Sequence, residues 1–244
     1  MSLRTQTHQE DLAQTLGRQL NLRDLRLAEA SLAMCSPEAT LDALATILEQ
    51  ERRMTRLNRG LYRPLTLLIW LLFGLWTIVS FEHTDWLTLI FVGVFVRVLL
   101  LLLRPLTTAS RLRSHNARLI AGKVVRQAER RSLGAVLIIA ESAFTHTPRG
   151  NEREVCREYL TSTLARVPTD ELQALTTAQR RALRTLTYLA LTSRDTANAS
   201  LATAGLLVLS TLRDPGLREL AQKAEGEHPN EQVRAAALEY LAHL

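Results

Sequence analysis

An all-α fold, with a transmembrane helical hairpin and helical regions in the cytoplasm, follows from three observations. Two apolar runs of about 18 residues lie side by side, each long enough to cross a hydrocarbon core as a helix. Leu supplies about one residue in five, a helix-favouring bias. The 244 residues include 10 Gly and 7 Pro, too few for the recurring turns of an all-β chain. The 2 cysteines, Cys35 and Cys156, are too few for a disulfide framework or a thiolate metal site.

Residues 1–61 predict N-terminal cytoplasmic helices. Leu12, Leu16, Leu20, Leu25, Leu27 and Leu32 supply the apolar positions of the first stretch. Ser36-Pro37-Glu38 then reads as a helix start, with a capping Ser, Pro at the first helical position and an early acid. Leu41, Leu44, Ile47, Leu48 and then Leu57 follow, and this helix is expected to continue towards the first apolar run with an interruption near Gly60. The apolar face of these helices calls for a partner, either the C-terminal domain or a second copy.

Residues 62–104 hold the hairpin, with spans at 64–81 and 86–103. The first span contains no charged residue and the second contains one, Arg97. Arg at a helix centre costs roughly 2.5–3.5 kcal/mol, whereas the Leu, Ile, Phe and Val residues of the run return roughly 6 kcal/mol. Insertion therefore wins, and Arg97 can extend its head towards the interface near Arg104. The short link Glu82-His83-Thr84-Asp85 makes the spans antiparallel neighbours. Matched depths pair Gly74 with Gly93, which permits close helix approach, and Trp70 with Arg97, which permits a cation–π contact.

Charge fixes the orientation. Arg52, Arg53, Arg56, Arg59 and Arg63 precede the hairpin, whereas its link carries two acids and no basic residue. Both termini are therefore expected in the cytoplasm, in the cell membrane, with the cysteines reduced. About sixty mainly polar residues precede the first run, so no signal peptide is expected. The formal net charge of +6 concentrates in 105–131 and its leading Arg104, which has eight basic residues against one acid. Arg104, Arg111, Arg113, Arg118 and Lys123 there are candidate contacts for anionic lipid headgroups. Leu112, Leu119, Ile120, Val124, Val125 and Ala128 recur at helical spacing, predicting a basic amphipathic juxtamembrane helix.

Residues 132–244 predict short helices at 133–145, 151–166, 177–192, 196–212, 216–225 and 230–243. Thr176 and Gln179 have capping-box spacing, and Asp214-Pro215 offers a cap followed by Pro at the first position. Twelve basic residues face thirteen acidic ones, so this part lacks the basic stripe of a nucleic-acid reader.

Two segments carry a family resemblance. Asp214-Pro215-Gly216-Leu217-Arg218-Glu219-Leu220-Ala221 and Pro229-Asn230-Glu231-Gln232-Val233-Arg234-Ala235-Ala236-Ala237-Leu238 are each similar to the start of the second helix of a HEAT repeat. The two arginines are sixteen residues apart, below the HEAT period of about 40–47, so a first helix is expected to be shortened or missing. The resemblance implies an α-solenoid that binds proteins through an extended surface, with Asp214, Arg218 and Arg234 in structural, repeat-stacking roles.

No phosphate loop, nucleophile elbow, zincin motif or C-x-x-C pair is present. The histidines His8, His83, His115, His146, His228 and His243 lack metal-ligand spacing, and no catalytic residue, cofactor or metal is expected. The expected function is a non-enzymatic, membrane-anchored adaptor whose C-terminal domain binds a protein partner. One alternative is a membrane-organising protein that binds lipid and forms a homo-oligomer. Another is an accessory subunit of a membrane enzyme or transporter.

Overall fold

The computed structural model describes residues 20, 36–80, 93, 94, 96, 113, 115–127, 132–146, 151–193 and 195–244. The protein is all-α: among the described residues every regular element is helical. In chain order these are α1 (Pro37–Ser80), α2 (residues 115–127), α3 (Leu133–His146), α4 (Asn151–Leu164), α5 (Thr169–Gln173), α6 (Thr177–Thr192), α7 (Ala199–Thr211), α8 (Arg218–Glu227) and α9 (Glu231–Ala242). Single 3₁₀ turns, Thr196–Asn198 and Pro215–Leu217, lead into α7 and α8.

The chain divides into two compact units, one made of 1–49 and 116–244, the other of 50–115. The first unit thus gathers the start of α1 with every helix from α2 onward, a different division from the linear one read off the sequence. Leu41, Leu44, Ile47 and Leu48 of α1 are buried with Ala117, Ile120, Ala121, Val124 and Val125 of α2 in one apolar core. The Asn116 side-chain amide donates to the Leu20 carbonyl at 2.8 Å. The leucines at 12, 16, 25, 27 and 32, whose apolar face calls for a partner, lie outside the described residues.

Helix α3 is buried on all sides from Leu133 to Glu141, with Ala143 and Phe144 continuing the buried run. It packs on α4 and α6; α6 packs on α7; α4 and α9 both pack on α7; and α8 packs on α9. Three successive helix pairs result, α3/α4, α6/α7 and α8/α9. First helices of the first two pairs touch each other, and second helices touch in all three. The α6–α7 contact is close because Gly205 faces Thr187: a methyl group at Gly205 would collide with the Thr187 hydroxyl. Thr187 is itself buried, with its hydroxyl turned back to the Leu183 carbonyl at 2.9 Å.

Local signals explain the helix ends. The Ser36 hydroxyl accepts from the Ala39 N–H at 3.3 Å. Thr176 and Gln179 form the full capping box of α6. Asn230 caps α9, accepting from the N–H groups of Gln232 and Val233. Arg180 donates to the Leu175 and Gln173 carbonyls at 3.1 and 2.8 Å, closing the turn after the short α5.

One sequence expectation is corrected. Helix α1 continues towards the first apolar run as expected but is not interrupted near Gly60; it runs unbroken through Gly60 and Pro64 for 44 residues, about 66 Å. The proline ring clashes with the carbonyl four residues earlier, and that residue is Gly60, whose backbone yields most easily. The two HEAT-similar segments head α8 and α9, which pack on each other.

In the second unit, Trp70 and Phe73 meet edge to face, with centroids 6.1 Å apart. A methyl group at Gly93 would lie 3.5 Å from the Phe73 ring, whereas Gly74 has open space around it. A side chain at Gly93 would thus meet Phe73 at ordinary contact distance. The Trp70–Arg97 contact lies outside the described residues. Among the described residues no helix is long and apolar enough to cross a membrane. The span 86–103 lies largely outside them, as do the side chains at 65, 66, 72 and 76–81.

Candidate interaction surfaces

The basic candidates are placed unequally. Arg104, Arg111 and Arg97 lie outside the described residues. Arg113 forms an ion pair with Glu51 at 3.1 Å. Arg118 is half-buried, with Nε and Nη1 withdrawn from solvent. Lys123 alone of the described candidates is exposed. The amphipathic spacing of α2 turns its apolar positions into the core, and Arg118 follows them part of the way.

The residues expected to stack repeats fare differently from one another. Asp214 is at a junction: its carboxylate accepts from the Gly216 N–H at 3.0 Å and pairs with Arg184 Nε of α6, also at 3.0 Å. The Arg184 N–H is not aligned for a hydrogen bond, so charge carries that contact. Beneath it Tyr240, fully buried on α9, donates its hydroxyl to the Asp214 carbonyl and accepts from the Leu217 N–H at 3.2 Å. Burial pushes the Tyr240 hydroxyl above its ordinary pKa; the Leu217 N–H opposes this, Asp214 adds to it and Arg184 opposes it. This cluster joins α6, the Pro215–Leu217 turn and α9. Arg234 donates to the His228 and Pro229 carbonyls at 2.8 and 3.4 Å, tying the α8–α9 turn within one pair. Arg218 is exposed.

Arg184 and Tyr240 were not legible as site residues, because neither belongs to a local motif. Arg213 was also missed. It is the one non-Gly residue with positive φ among the described residues, at 49°. The Arg213 N–H bonds to the Ser210 carbonyl at 2.9 Å and the Asp214 N–H to the Leu209 carbonyl at 3.0 Å. These two bonds define a Schellman end to α7, with Arg213 at the position that usually holds Gly.

The remaining polar features are structural in geometry. Phe144 lies under the Arg153 guanidinium at 4.3 Å. Arg157 pairs with Glu154 at 3.4 Å and reaches Asp195 at 3.9 Å. Cys156 is fully buried. His146 ends α3 rather than lying in a loop, with Nδ1 3.0 Å from the Ser142 carbonyl. No cluster of three metal-ligating side chains occurs among the described residues. An open cleft of about 300 Å³ lies between α2 and α4, lined by Arg126, Val155, Glu158, Tyr159 and Ser162. Arg126 is held there by a hydrogen bond to the Asn151 side chain.

The exposed apolar side chains concentrate on α1. Leu67, Leu68, Trp70, Leu71 and Leu75 are 71%, 54%, 47%, 67% and 55% exposed, far from the pattern of a helix facing water on its polar side. Compared with known protein families, with curated proteins and with solved structures, the chain has no match.

Proposed function

We propose that this protein is a non-enzymatic, membrane-anchored adaptor that presents a HEAT-like helical repeat domain to a protein partner at the cytoplasmic face of the cell membrane. The observation that carries the reading is the pairing of α3/α4, α6/α7 and α8/α9, with each second helix in contact with the next. A pair of helices buries little alone; stacking creates the core and leaves an elongated surface whose use is contact. The short α8, 10 residues long, fits a repeat whose first helix is cut back.

Anchoring by a hairpin at 64–81 and 86–103 is supported by the continuous helical backbone through Ser80 and by the exposed leucines of α1. An exposed apolar stripe of that kind is stable in lipid and a liability in water. The flanking arginines support placing both termini in the cytoplasm. Lipid organisation through the basic segment is the weaker reading, since Arg113 pairs with Glu51 and Arg118 is half-buried.

Two measurements test the proposal. Alkaline carbonate washing of membranes should leave the protein in the pellet; release into the supernatant would remove the anchor. Mass spectrometry of the full-length protein purified in mild detergent should then find a stoichiometric partner. Recovery of lipid and further copies of the chain alone would turn the reading towards membrane organisation.

A further inference from the structure

Building on the adaptor reading, we propose that the edge formed by Arg181, Arg213 and Arg218 around Tyr188 is the docking surface for an acidic, extended segment of the partner protein. The Arg184–Asp214 ion pair and the packing of the Arg184 stem against Gly216 bring the middle of α6 to the turn before α8. Arg181 lies one helical turn before Arg184 and Tyr188 one turn after it, on the same face of α6. Arg213 immediately precedes Asp214, and Arg218 follows Gly216 by two positions. Arg181, Arg213 and Arg218 are exposed, and among the described residues none of the three side chains forms an ion pair or hydrogen bond. Asp214, the acid at the centre, is engaged by Arg184 and only 13% exposed. Glu219 is the remaining carboxylate beside Arg218, so the edge keeps an excess of positive charge.

Two further features select the occupant. Tyr188 is 48% exposed and offers a flat apolar plate on the same face of α6 as Arg181, two turns along. Arg213 occupies a left-handed backbone position at a cost of about 1 kcal/mol relative to Gly, and an exposed residue retained under such strain fits a binding role. The arginines are spread across two helix pairs, about 10 Å apart at ordinary helix spacing. Carboxylates recurring along an extended chain match that separation. A nucleic acid would call for a basic stripe across the domain, which its thirteen acidic and twelve basic residues do not provide.

The test is fluorescence anisotropy of a fluorescein-labelled oligo-glutamate peptide titrated with full-length protein in detergent. Salt-sensitive binding is expected, weakened about tenfold by the R181E/R218E double reversal. The R213G variant should bind more weakly while melting at a higher temperature, a combination that misfolding does not produce. K223E, a reversal on the exposed side of α8, should bind as the parent does. Parent-like binding by R181E/R218E, or an equal loss with K223E, would overturn the assignment. So would tighter arginine-dependent binding of single-stranded RNA or of phosphatidylserine vesicles. A stoichiometric partner that co-purifies equally with R181E/R218E would keep the adaptor reading and remove this surface. Absence of any partner on the parent protein would remove the adaptor reading while leaving the peptide titration to judge the surface.

Discussion

Replacing Tyr240 by Phe isolates the junction between helix pairs. The ring stays and the apolar packing of a fully buried side chain is preserved. The hydroxyl is lost, so the Leu217 N–H loses its acceptor and the Asp214 carbonyl loses a donor. Leu217 is 8% exposed, which leaves its N–H with little access to water. An orphaned buried donor costs about 1–3 kcal/mol, so a loss of about 2 kcal/mol is expected. At 1.36 kcal/mol per tenfold, local opening of α8 and α9 should increase about thirtyfold. Hydrogen exchange of the 217–242 amides reads that opening directly, without assuming that the whole chain unfolds in one step. A change under about threefold would refute the view that this hydroxyl joins the last helix pair to the one before it. The pH dependence provides a second check on the same group. Burial raises the folded pKa of Tyr240 above its unfolded value. Its stabilising contribution is therefore complete below about pH 10 and drains away as pH rises through the folded value. The gap between parent and Y240F should narrow in that window, where the parent begins to lose stability and the variant has no such group to ionise.

Three other substitutions test separate contacts. R213G should raise stability by about 1 kcal/mol in chemical denaturation, because Gly adopts the left-handed end of α7 without a Cβ clash; equal or lower stability would deny that strain. G205A should destabilise by about 1–3 kcal/mol through its collision with Thr187, and T187A in the same chain should restore part of the loss, a coupling that a double-mutant cycle measures. T176A should cost about 1 kcal/mol by opening the capping box of α6, with increased exchange confined to the first turn of that helix.

Helix starts were legible where a few residues decide them: Ser36, the Thr176/Gln179 pair and Asp214-Pro215 mark starts by hydrogen bonds that reach two or three positions along the chain. The Asn230 cap and the left-handed Arg213 are as local but carry no motif as plain. The run of α1 towards the first apolar stretch was legible but its lack of a break was not, since Gly60 and Pro64 each argue for one when taken alone. Only as a pair separated by one helical turn do they tolerate each other. The all-round burial of α3 was hidden as well: its apolar run specifies a buried helix but does not name the helices that cover it. At the interaction edge, Arg181 and Arg184 of α6 look alike in sequence. Asp214, thirty residues beyond Arg184, pairs with it and leaves Arg181 exposed.

The first unit takes its residues from both sides of an insert spanning 50–115, and this sets an order of assembly. The apolar stripe at Leu41, Leu44, Ile47 and Leu48 leaves the ribosome well before α2 and α3, the helices whose core it shares. During that interval it is an unsatisfied amphipathic helix, exposed to chaperones and to neighbouring nascent chains. Bringing residue 49 back to residue 116 means closing the chain around the whole 50–115 insert, at an entropic cost that grows with loop length. If the intervening runs have already folded into a lipid-embedded hairpin, its two ends emerge at the same face and most of that closure is complete. Under the proposed anchor, membrane insertion is a folding step for the helical domain, and blocking it should leave residues 116–244 without their N-terminal helix even though every one of them has been synthesised.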